Sequence, residues 1–222
     1  VIEKKKVLIT VKTYPTLSKT YDELVCTAGI DENGHWIRLY PVPFRKLEYE
    51  TRYPKFSWIE LDVKRKKGDF RPESYTPVNL KEIKTIGHVK PDGDSWLKRR
   101  KIVLNNVYTN LETLISDAKN PEKWTSLAVF KPKAVIDFIY KEVEREWDPE
   151  TLAYINAKAT QMDLFGDSEN PFEVVKKLPY KFSYRFIDDS EKESTMMIED
   201  WEIGQLYWNC LKRKGNEKEA CE

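Results

Sequence analysis

The chain has 222 residues, enough for one large domain or two small ones; 40% are hydrophobic and 34% charged. Its 38 Lys and Arg stand against 37 Asp and Glu, a net charge of +1. That balance excludes a protein held to nucleic acid by a global positive field, so any such contact must use a local patch.

Val7, Ile9 and Val11 alternate within residues 5–14 and predict a strand. Pro15 to Asp22 is polar and turn-like, and a second strand is expected over Glu23–Ile30. Asp31-Glu32-Asn33-Gly34 then signals a hairpin, with Asn-Gly supplying the positive φ of a tight turn. His35–Pro43 returns as a strand, and Phe56–Lys64 makes another by strict alternation. Residues 71–92 are polar and proline-rich, with short extended pieces at 76–80 and 83–89. So many short strands in so short a stretch imply a small, mostly antiparallel β-barrel over residues 1–92.

Residues 93–222 read as an α+β region packed on that barrel. Helices are expected over Ser95–Asn106 and over Asn110–Ala118, where Asn110 is a natural N-cap. Leu127–Phe130 and Ala134–Glu144 read as extended. Asp148-Pro149-Glu150 is a helix start, and that helix should run to about Ala159. A loop is expected over about 160–172, a strand over Tyr180–Ile187, and a last helix over Met197–Lys212. The overall expectation is an α+β fold: an OB-like or similar small barrel with appended helices and a few further strands.

The densest chemistry lies between Trp36 and Trp58, where rings and cations interleave. Trp36, Arg38 and Tyr40 share one side of their strand, with Ile37, Leu39 and Val42 left for the core. Rings that stack on bases and cations that meet phosphates are what single-strand binding needs, at about 1–3 kcal/mol per stacked base. Here Trp36, Tyr40 and Phe44 are the stacking candidates, and Arg38, Arg45, Lys46 and Arg52 the phosphate contacts. The competing reading packs Trp36 and Tyr40 beneath the loop at 44–55. Further basic runs stand at Lys4–Lys6, Lys64–Lys67 and Lys98–Lys101, whereas acidic residues gather later in the chain.

The strand Leu24-Val25-Cys26-Thr27-Ala28-Gly29-Ile30, the turn with Gly34 and the following Trp36-Ile37-Arg38 resemble the opening of prokaryotic OB-type modules that occur in pairs. The resemblance implies a nucleic-acid-binding barrel whose face carries Trp36 and Arg38; Leu39-Tyr40-Pro41 departs from the pattern. Separately, Gln161-Met162-Asp163-Leu164-Phe165 resembles the short peptide by which bacterial polymerases and repair proteins dock on the sliding clamp. That resemblance implies Leu164 and Phe165 filling an apolar pocket, with Gln161 hydrogen-bonding at its rim.

Two acidic groups are the candidates for metal-dependent chemistry: Glu142, Glu144, Glu146 and Asp148, and Glu199, Asp200 and Glu202. The alternative for the first is a solvated, charged edge, and for the second a helix start. The row Tyr180, Phe182, Tyr184 and Phe186 reads as core rather than as a base-stacking platform. Cys26, Cys210 and Cys221 include no CxxC pair, so no disulfide framework or cysteine zinc site is expected. With no apolar run of membrane-spanning length and no leader, a cytoplasmic protein without metal or cofactor is expected. The expected activity is non-catalytic nucleic-acid binding, with docking on the sliding clamp through residues 161–165; the alternatives are a metal-dependent nuclease or nucleotide-processing enzyme using the acidic groups, and a protein-interaction module.

Overall fold

A computed structural model describes residues 1–164 and 174–222, with the backbone alone described for Tyr49, Asp94 and residues 159–164. In chain order the strands of the first half are β1 (Ile2–Lys12), β2 (Thr16–Ser18), β3 (Asp22–Leu24), β4 (Thr27–Asp31), β5 (Trp36–Leu39), β6 (Ser57–Arg65), β7 (Ser74–Pro77) and β8 (Lys84–His88). There follow α1 (Leu97–Val103), β9 (Val107–Tyr108), α2 (Leu111–Lys119), β10 (Val129–Phe130), β11 (Ala134–Glu142) and α3 (Pro149–Leu164). The chain then forms β12 (Tyr180–Ile187), β13 (Glu193–Met197), α4 (Trp201–Lys214) and α5 (Glu217–Cys221).

The expected α+β architecture with a small barrel is what the structure shows. β1 pairs with both β4 and β6, so Val7 stands opposite Asp31 on one side and Ile59 on the other. β4 pairs with β5, β5 with β7, and β7 with β6, which closes five strands into a mixed barrel. Within it β5 and β7 run parallel, and the other pairs are antiparallel. Alternation in β6 turns Ser57, Ile59, Leu61 and Val63 inward and leaves Trp58, Glu60 and Asp62 outside. The core unites these aliphatics with Val7, Ile9, Ile37 and Leu39, and the loop after β5 lids it with Val42, Phe44, Leu47 and Tyr53. Burial of this apolar surface is the main force closing the barrel.

The register of β1 against β4 shifts between Ile9 and Val11, and beside that bulge the β1 backbone lies close against Gly29 of β4. A Cβ at Gly29 would collide with the carbonyl of Leu8, so this position admits no side chain.

The second half is built on the antiparallel sheet β11–β12–β13. α4 and α5 cover part of one face, packing Tyr207 and Cys221 on Phe182 with Tyr180 and Leu178 alongside. The aromatic row of β12 is therefore core at Phe182 and Phe186, while Tyr184 remains 45% exposed. Buried Asp188 ties the β12–β13 turn to α2 by accepting from Ser190 Oγ and from the Leu111 N–H. The Ser190 hydroxyl and the Leu111 N–H pull its carboxyl down to about 2.

Several expected boundaries shift. Glu23–Ile30 is two strands, because β3 pairs with β2 whereas β4 pairs with β1. Met197 belongs to β13, opposite Ser183, and α4 starts after Asp200, whose carboxylate caps the Glu202 N–H. α3 continues to Leu164, so residues 161–164 are helical rather than looped. The rest of that expected loop, Phe165 to Phe172, lies outside the described residues.

The halves meet through polar ties as well as rings. Asp22, nearly buried and at φ 63°, takes Lys46 from the barrel loop at 2.6 Å and Lys158 from α3 at 2.8 Å. Burial opposes ionisation there, yet the ammonium groups of Lys158 and Lys46 hold the Asp22 carboxyl below its usual range. Trp201 leans on the barrel core, and its ring, Phe44 and Tyr53 surround the Lys12 ammonium, which donates to the Tyr53 carbonyl. Burial pushes Lys12 down to about 8, against the pull of the Glu202 carboxylate.

Because the folded pKa lies below the unfolded one, the unfolded chain binds the extra proton between about pH 8 and 10.5, and stability rises through that window. Lys12→Met is expected to stabilise the protein at pH 7 by about 1–3 kcal/mol. That gain should fade as the pH approaches 10.5 in urea titrations of both proteins. A gain independent of pH would contradict the buried-charge account.

Candidate functional site

The hairpin β4–β5 is fixed by its own turn. Asp31 accepts from the N–H groups of Asn33 and His35, and Gly34 takes φ 84°. β5 then points Ile37 and Leu39 into the core and leaves Trp36 and Arg38 on the outer side. Where Trp36 emerges, a cleft of about 500 Å³ opens between the barrel and residues 102–128. Its walls carry Trp36, Tyr75, Tyr108 and Trp124, together with Asn105, Asn106, Lys5 and Lys123.

The far wall is preset by its own hydrogen bonds. Tyr108 donates to Asp117 at 2.9 Å, and Lys123 pairs with the same carboxylate at 2.7 Å. The Lys123 ammonium and the Tyr108 hydroxyl hold the Asp117 carboxyl below its ordinary range. Asn120 accepts from the N–H groups of Glu122 and Trp124 and turns the loop back, and Trp124 sits at φ 47° against the ring of Phe70, 4.5 Å away. Asn105 donates to the Ile102 carbonyl, which leaves its own amide oxygen without a hydrogen-bond donor among the described residues. Rings and amides in a cleft of this size match the composition of small-ligand sites, which span about 300–1,000 Å³.

α1 leads into the cleft through Ile102 and Val103. Its Lys98, Arg100 and Lys101 are exposed and form no ion pair with any described side chain, and the same holds for Lys84 and Lys90. Arg99 instead stacks on Phe56 and Trp96, 3.9 and 4.9 Å from the ring centroids. Trp96 itself is 48% exposed. Residues 1–105 hold 22 Lys and Arg against 14 Asp and Glu; the remainder holds 16 against 23. The excess of cations thus lies in the first half.

The row Trp36–Arg38–Tyr40 is divided by the second half. Arg38 has its side chain only 12% exposed, donates to Ser126 Oγ at 2.9 Å and lies 3.8 Å from Glu73. Ser126 also donates to Glu73, and Cys26 Sγ lies 3.9 Å from the Arg38 guanidinium. Arg38 is therefore a tie between halves and not an open phosphate contact. Tyr40 is half-buried, edge-on to Tyr21, with Lys66 4.2 Å from its ring centroid.

The loop residues are committed elsewhere. Phe44 is a core ring against Tyr53 and Trp201, which corrects its expected role in stacking. Arg45 pairs at 2.7 Å with Glu23, which is fully buried and would otherwise be an uncompensated charge. Lys46 serves Asp22, and Arg52 donates to the carbonyls of Leu47 and Arg45. Gln161, Met162, Asp163 and Leu164 have the backbone of the last turn of α3, and Phe165 lies outside the described residues.

The acidic groups disperse. Glu142 and Glu217 share Arg145, Glu144 approaches Lys177, and Asp148 caps α3 through Thr151. Asp200 and Glu202 both hold Lys55. Among the described residues no three His, Cys, Asp or Glu side chains gather as a metal site. No helix among the described residues is long and apolar enough to cross a membrane.

The structure adds Trp124, Tyr108, Asn105, Asn106 and Trp96 to the candidate set. The basic run before Asn105-Asn106 was a usable signal, whereas nothing local marks Trp124 as a neighbour of Trp36. Residues 3–105 match the family model of a domain of unknown function, DUF8758, and residues 107–222 match that of a second, DUF8757. No curated protein and no solved structure matches the chain.

Proposed function

We propose that this chain, which belongs to the DUF8757 family through residues 107–222, binds single-stranded nucleic acid in the cleft between its barrel and its second half, without chemistry of its own. The observation that carries this reading is the meeting of Trp36 and Trp124 with Asn105 and Asn106 in one cleft, at the end of a helix whose Lys98, Arg100 and Lys101 form no ion pair among the described residues. Rings accept any base face, amides hydrogen-bond base edges, and Lys98, Arg100 and Lys101 supply the electrostatic approach.

The barrel supports the reading. Its strands, numbered along the chain as β1, β4, β5, β6 and β7, close in the order first, second, third, fifth, fourth, with third and fifth parallel. That is the connectivity of an OB-type barrel, whose second and third strands carry the oligonucleotide-binding face. In this chain they are β4 and β5, the strands that present Trp36.

The test is a fluorescence-anisotropy titration of labelled single strands over a salt series, with wild type and with Lys98→Ala/Arg100→Ala/Lys101→Ala. Losing three phosphate contacts should flatten the slope of log K against log salt by about 2. Equal slopes and affinities for the two proteins would remove α1 from the interface and with it the electrostatic half of the reading.

A further inference from the structure

We infer that the ligand is an oligonucleotide seated in two clefts, one at each end of the β5 row, and not a single nucleotide. The inference rests on the binding function proposed above and extends it along the barrel. A second cleft of about 380 Å³ opens where β5 ends, between Tyr14, Cys26 and Tyr40 of the barrel and Trp147, Tyr180 and Phe182 of the second half. Trp36 lines the first cleft and Tyr40 the second, with the tied Arg38 between them. Trp36 and Tyr40 are four residues apart, so along an extended strand they stand about 13 Å from one another. That spacing is more than one base covers, and OB-type barrels engage about 4–16 nucleotides.

The second cleft has the chemistry of a base seat. Its rings are held in place by the fold: Tyr14 donates to the Lys176 carbonyl and accepts from Trp208 Nε1, both at 2.9 Å, while Trp147 Nε1 donates to the Val175 carbonyl. Lys66 lies over Tyr40, and Lys181 stands on the cleft wall; neither forms an ion pair among the described residues. Lys177 sits 5.8 Å from the Trp147 ring centroid. Of the two acidic residues on the wall among the described residues, Asp200 is neutralised by Lys55. Glu199 is exposed and would repel a phosphate, which leaves the Lys66 and Lys181 positions as the route for the backbone.

The experiment is a length series of homopolymeric single strands, from a mononucleotide to about eight nucleotides, titrated against wild type, Trp36→Leu, Tyr40→Leu and Lys66→Ala. Affinity should climb until the strand reaches both clefts. Tyr40→Leu should then weaken the longest strand about 5- to 100-fold and leave the dinucleotide unchanged, whereas Trp36→Leu weakens both. Lys66→Ala, which removes a side chain from the surface, should weaken only the longer strands, and it guards against misfolding of the tyrosine variant. Equal affinity for dinucleotide and octamer, still sensitive to Trp36, would overturn the two-cleft inference alone. Full octamer affinity in both Tyr40→Leu and Lys66→Ala would do the same. No binding at any length would overturn the binding function and this inference together.

Discussion

Replacing Trp36 and Trp124 together with leucine is expected to weaken single-strand binding by about 2–4 kcal/mol, ~30- to ~1,000-fold. Both rings are half-buried on the cleft walls and outside the barrel core, so leucine keeps apolar cover while removing the stacking face. The fold should survive, as a melting temperature within a few degrees of wild type would confirm. The single variants separate the two walls: Trp36 reports on the barrel, and Trp124 on the loop that Asn120 turns back. Their effects should not simply add, because rings that share one base are coupled. A double variant that binds within twofold of wild type would show that the bases sit elsewhere.

Gly29→Ala is expected to cost about 3 kcal/mol or more of folding stability, a large share of the roughly 5–15 kcal/mol that holds a domain together. The added methyl meets the carbonyl oxygen and carbon of Leu8 and a methyl of Val7. Main chain cannot rotate aside as a side chain does, so β1 and β4 must part. β1 is also the strand that joins β4 to β6, and parting it opens the barrel. Urea unfolding reads the loss directly. A midpoint indistinguishable from wild type would mean that the bulge between Ile9 and Val11 relaxes freely.

Elements whose stability is local were legible in the sequence. The alternation of β6, the Asn-Gly turn before β5 and the Asp148-Pro149 start of α3 each follow from a few adjacent residues. What failed depended on distant partners. Glu23–Ile30 looks like one strand until β2 and β1 claim its two parts. Met197 looks helical because Ile198 and Trp201 follow at helical spacing, yet β12 pairs with it first. The candidate site divided the same way. Alternation along β5 puts Trp36 and Arg38 on one side of the strand, but only the fold shows that Ser126 and Glu73 occupy Arg38. Arg45 and Lys46 look available in sequence because Glu23 and Asp22, which they neutralise, are some twenty residues away. Buried carboxylates claim neighbouring cations before any ligand can. The cleft itself was invisible, since it joins Trp36 to Trp124 across the chain.

The most direct measurement is photocrosslinking of a halogenated single-stranded oligonucleotide to the wild-type protein, with the adducts mapped by mass spectrometry. Adducts on Trp36, Tyr108 or Trp124 are the predicted result, since those rings line the cleft. Adducts confined to the exposed sheet residues Phe138 and Tyr184, with none in the cleft, would contradict the account.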